Sequence, residues 1–130
     1  MTDQETLNAT YREFIDGLVK AAPSLSARLV REEGIASKAP AALAANELVS
    51  RLSRSDRELL ASMLEVERSG TIHDVLANLT WWLDTGRVRW SAGQQPMPAG
   101  LEGGLHCDFI GRLEGREWPH PEATVRTPRT

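Results

Sequence analysis

Apolar residues recur at helical spacing along most of the chain, and the places where that rhythm stops divide it into elements. From Asp3 to Ala22 a stripe of Leu7, Tyr11, Phe14, Ile15, Leu18, Val19 and Ala22 predicts an amphipathic helix. Thr2 and Glu5 are spaced as a capping box, and Pro23 ends the pattern. Asp16 and Lys20 are expected to pair across one turn on its wet side. Ser24 to Gly34 predicts a short helix turning Leu25, Leu29 and Val30 inward, followed by a connector of small residues. Pro40 suits the first turn of the next helix, where its missing N–H has no partner to lose; Ala41, Ala45, Leu48, Val49 and Leu52 form its apolar side.

Ser55 and Glu58 predict the cap of a helix that turns Leu59, Leu60, Met63 and Leu64 inward. Ser69-Gly70-Thr71 then predicts a tight turn, with Gly70 as a left-handed cap and Thr71 with Asp74 opening the next helix, so that two helices form an antiparallel hairpin. Ile72, Val75, Leu76, Leu79, Trp82 and Leu83 mark that next helix, which Gly86 closes. Residues 87–98 alternate and carry Ser91-Ala92-Gly93 as a turn signal, which predicts a small β-hairpin or irregular insertion; Pro96 and Pro98 confine any second strand to an edge. A last helix spans about 105–114, with Leu105, Phe109, Ile110 and Leu113 inward, Asp108 paired to Arg112 outside, and Gly115 as its stop. The expected fold is mainly α: a compact bundle of four to five helices with a small insertion before the last. Residues 1–118 read as one helical domain and 119–130 as a flexible tail with almost nothing to bury.

Composition narrows the class. A chain of 130 residues is long enough to bury a core without staples, and its one cysteine, Cys107, excludes an intramolecular disulfide. A formal charge of −3 argues against a nucleic-acid partner, and no apolar run reaches the length of a membrane span. The expectation is a soluble, cytoplasmic protein without nucleic-acid or membrane partners.

Three polar residues stand out on apolar faces. Glu67 lies about 30° from the centre of the Leu59–Leu64 stripe, and His106 about 35° from that of the last helix. His73 falls in the first turn of its predicted helix, where the macrodipole favours a neutral imidazole. Glu67 and His106 are candidate catalytic residues. With His73 they are also the candidate metal set, since two histidines and a carboxylate suit zinc, iron or acid–base work. Each also has a structural explanation: Glu67 reaching solvent, His106 bonded in the core, His73 on the surface. No cofactor is expected on the main reading, a divalent metal being the alternative.

Tryptophan supplies the other signal. Trp81 sits about 160° from its helix's apolar stripe, so the segment from Trp90 to Trp118 is expected to cover it and sandwich the helix. Trp81, Trp90 and Trp118 are the candidate binding residues, because tryptophan concentrates at binding hot spots.

The segments GTIHDVLANLTWWLD and EGGLHCDFIGRLEGREWP resemble those of a family of small bacterial proteins of unknown function. Its members carry a Gly-x-Ile-His-Asp helix start and a Gly-Leu-His-x-Asp-Phe-Ile-x-Arg-Leu-x-Gly-x-x-Trp-Pro segment. The resemblance covers the last half of the ordered chain and implies a bacterial protein, with no activity to inherit. The expectation is therefore a non-enzymatic protein-binding or adaptor module, with a protein partner or a homodimer. The alternative is a metal- or acid–base-assisted enzyme using Glu67, His73 and His106.

Overall fold

The computed structural model describes residues 3–32 and 39–119. Thr2, with its half of the expected capping box, and the tail from His120 onward lie outside the described residues. The protein is mainly α. The order is α1 (Asp3–Ala21), α2 (Leu25–Arg31), α3 (Pro40–Arg51), α4 (Arg54–Asp84), β1 (Ser91–Ala92), β2 (Gln95–Pro96) and α5 (Leu105–Leu113). The contacts of the described residues fall into two units, residues 3–21 with 71–119, and residues 22–32 with 39–70.

The expected turn at Ser69-Gly70-Thr71 does not form; α4 runs unbroken through it. Gly70 keeps ordinary helical backbone and nothing lies within 4 Å of where its Cβ would be. Ser and Gly signal a stop only when the chain then reverses; here the helix continues, and its two apolar stripes, Leu59–Leu64 and Ile72–Leu83, face sides about 130° apart. His73 and Asp74 are therefore mid-helix, and the macrodipole argument for a neutral His73 lapses. The cap of α4 is also displaced: Ser53, not Ser55, accepts the Asp56 N–H at 3.0 Å.

In the unit of residues 22–70, Ala27, Val30, Val49 and Ala61 form the core, with Leu60 and Leu64 packed on it. Leu25, Leu48, Leu59 and Met63, expected inward, are exposed. The small side chains of Ala27 and Ala61 set the close contact, and they rotate the buried face away from the bulkier leucines. Ser24 caps α2 through the Ala27 N–H, and its own N–H donates to Glu65 Oε2 at 3.0 Å. Arg31 pairs with Glu58 at 3.0 Å.

In the other unit α1 packs against α5. Leu7, Tyr11, Ile15, Leu76, Leu83, Leu105 and Phe109 are buried. Gly86, with φ +73°, ends α4 by donating to the Leu83 carbonyl. The insertion is a two-stranded antiparallel hairpin, Ser91 opposite Pro96 and Ala92 opposite Gln95, turning at Gly93 with φ +61°. Ser91 and Ala92 are thus strand, not turn. Gly115, φ +84°, stops α5: its N–H donates to Arg112 O and that of Arg116 to Gly111 O, the Schellman pair.

Candidate functional site

The α5 segment is built as a latch. Asp108, expected on the outer side of α5 beside Arg112, is only 2% exposed. Its Oδ2 accepts the Tyr11 hydroxyl at 2.6 Å and the Leu101 N–H at 2.7 Å, and its Oδ1 accepts the Glu102 N–H at 3.2 Å. The amides of the loop entering α5 need an acceptor, and a helical wheel counts only apolar neighbours, so Asp108 is drawn inward. Arg112 turns instead to Asp16, Nε to Oδ1 at 2.8 Å, and Trp118 Nε1 donates to the other oxygen of Asp16 at 3.0 Å. Burial raises the Asp16 pKa, but the hydrogen bonds from Trp118 and Arg112, with the charges of Arg112 and Lys20, outweigh it and hold the carboxyl below its ordinary value.

The start of α5 has no side-chain cap of its own, because Gly104 stands at that position. Thr80 of α4 supplies the hydroxyl: it accepts the Leu105 N–H at 3.1 Å and donates to Leu76 O at 2.8 Å. A Cβ on Gly104 would come within 2.7 Å of Thr80 Cγ2 and 2.6 Å of the His106 ring, so the glycine permits the closure. Gly100, at φ +141°, similarly has the Gly103 carbonyl where a Cβ would stand.

Two of the three candidate titratable residues come together. The rings of His73 and His106 meet edge to face at 5.2 Å between centroids, and His73 Nδ1 lies 3.0 Å from Asp74 Oδ1. Both histidines are half-buried, while Glu67 is exposed. Among the described residues no three His, Cys, Asp or Glu side chains gather so as to hold a metal ion. Cys107 is exposed.

The tryptophans divide by role. Trp90 donates its indole N–H to Pro98 O at 3.0 Å and packs on Tyr11 and Phe14; Trp118 packs on Tyr11 and bonds Asp16. Both brace the fold. Trp81 is 51% exposed, edge-on to Trp82, with the Arg87 guanidinium over both rings. It is not covered by the 90–118 segment, whose tryptophans are occupied on α1 instead.

Concave surface is found along α4. A hollow of about 310 Å³ is lined by Phe14 and Leu18 of α1 and by Thr71, Ile72, Val75, Leu76 and Leu79. A second, of about 420 Å³, shares Val75 and Leu79 and continues to Asn78, Trp82 and Val88. Together they make an open groove along α4, with an almost wholly apolar wall; Val75 is 62% exposed in its floor. Its cause is geometric. The apolar arc of α4 from Ile72 to Leu83 spans about 120°, and only the side carrying Leu76, Thr80 and Leu83 is buried. The width of that arc was the available sequence signal, together with the similarly wide stripe of α1. The groove residues Phe14, Leu18, Val75, Leu79 and Val88 were not among those singled out for binding.

A family model matches residues 4–120. The chain belongs to the Family of unknown function (DUF6547). No curated protein and no solved structure matches it. In this DUF6547 member, the Gly-Leu-His-x-Asp-Phe segment serves chiefly to close α5 on α1 and α4: Asp108 takes the loop amides, Leu105 and Phe109 fill the core, and Trp118 seals Asp16. The groove lies on residues outside that segment. No helix among the described residues is long and apolar enough to cross a membrane.

Proposed function

We propose that this DUF6547 member is a protein-binding module of the bacterial cytoplasm, with the α1–α4 groove as its working surface and the helix of a protein partner as its ligand. The observation that carries the reading is the groove's wall: open, about three helical turns long, and almost free of polar atoms. Small-molecule sites rely on a few well-placed polar groups to orient the ligand, and this wall offers almost none. A row of aliphatic side chains at i, i+3 or i+4 and i+7 on a partner helix matches such a surface. Phe14 and Trp82 at its edges are the aromatic type that anchors protein contacts. The cytoplasmic setting is supported by the single cysteine, and the bacterial one by the family resemblance.

The reading is tested by selecting helical peptides from a displayed library on the full chain. Peptides with an apolar row should be enriched, and Val75→Asp should lose them. Enrichment indifferent to Val75→Asp and to Trp82→Ala defeats the reading.

One observation favours the alternative, an acid–base or metal-assisted enzyme using His73, His106 and Glu67: the contact between the two imidazoles beside Asp74. Zinc titration of the full chain and of His73→Ala and His106→Ala separates it. Stoichiometric binding lost in both variants favours the enzyme, and no heat of binding rejects its metal form.

A further inference from the structure

We infer that the helix seated in the groove is α4 of a second copy of this chain. The inference rests on the binding reading above and names its partner. Three features of α4 carry it.

The first is register. Thr71, Val75, Asn78 and Trp82 are all exposed and follow one another at steps of four, three and four residues. That is the spacing with which one helix inserts side chains between those of another. The same element therefore offers both the floor of the groove and the row that fills it, as a two-fold contact requires.

The second is shape. Let two α4 helices run antiparallel about an axis near Asn78. The small Val75 of each then faces the large Trp82 of the other. The two Asn78 amides meet at the axis, each with donors and an acceptor for its twin. Phe14, Leu18 and Val88 on the groove walls extend the contact beyond the helix pair itself.

The third is charge. Asp74 flanks the row beside Val75, in its first half, with 83% of its side chain exposed. Arg87 stands at its far end, exposed and held over Trp81 and Trp82 at 5.6 and 5.7 Å. Antiparallel pairing brings Arg87 of each copy toward Asp74 of the other. Parallel pairing would set like charge beside like.

The test is sedimentation velocity of the full chain over micromolar to sub-millimolar concentrations, with folding checked by circular dichroism. The wild type should show a concentration-dependent dimer. Asn78→Asp, which keeps the side chain's size, places two carboxylates together at the axis and should weaken the dimer roughly tenfold or more at neutral pH. Asp74→Arg and Arg87→Asp should each weaken it, and the double exchange should restore it. A monomer at every concentration overturns the inference, as does a dimer indifferent to Asn78→Asp and Val75→Asp. A monomer whose display-selected peptides are still lost on Val75→Asp removes the second copy but leaves the groove's binding role standing.

Discussion

The Tyr11 hydroxyl reaches Asp108 Oδ2 at 2.6 Å across 97 residues of chain, tying α1 to the buried face of α5. The same oxygen takes the Leu101 N–H, so one carboxylate organises the N-terminal helix, the loop before α5 and α5 itself. Hydrogen bonds to such a group, out of water, are worth more than the average.

Tyr11→Phe removes one donor and keeps the ring packed on Trp90 and Trp118. The expected loss is about 2 kcal/mol, read as a lower urea midpoint at unchanged slope. Asp108→Ala should cost more, because it removes the acceptor of the Tyr11 hydroxyl and of the Leu101 and Glu102 amides together.

Asp16 gives the fold a pH signature. Its folded pKa lies below the ordinary value of 3.8, so its contribution to stability is complete above that value and is lost as pH falls through the folded pKa. Urea midpoints of wild type and Asp16→Asn should differ most above pH 4 and converge toward pH 2. A difference that widens as pH falls contradicts the assignment.

Gly70 separates the two descriptions of α4. As a left-handed cap it would tolerate no Cβ. As a residue inside a continuous helix with open space around it, it should accept alanine with a gain of about 1 kcal/mol. Gly104→Ala should do the reverse, losing about 2 kcal/mol or more, because its Cβ meets Thr80 and His106. Thermal melting of the two variants decides both.

Much of the architecture was legible in the sequence. The apolar stripes located the five helices among the described residues, though they divided α4 into two, and Pro40, Gly86 and Gly115 marked real ends. What misled were signals with two local meanings. Ser69-Gly70-Thr71 has turn composition, yet α4 runs through it unbroken, because serine, glycine and threonine cost a helix little enough to be carried inside one. Asp108 at i,i+4 from Arg112 looks like a surface pair, and only the fold brings the loop amides and Tyr11 to it. His73 and His106 were legible as unusual, and the structure does join them; Glu67 was placed inward by a stripe whose members Leu59 and Met63 are themselves exposed. The groove was hidden for a related reason. Periodicity shows how wide an apolar arc is, but not how much of it the neighbouring helices cover.

The most direct measurement is the affinity of a display-selected helical peptide for wild type, Val75→Asp and Tyr11→Phe, taken alongside each protein's urea midpoint. Val75→Asp should weaken binding roughly tenfold or more while its stability, taken from midpoints at a concentration where both proteins are monomeric, stays within about 0.5 kcal/mol of wild type. Tyr11→Phe should be less stable yet bind with wild-type affinity wherever it is folded. Wild-type affinity in Val75→Asp, or affinity that merely follows stability across the three proteins, would contradict a binding role for the α1–α4 groove.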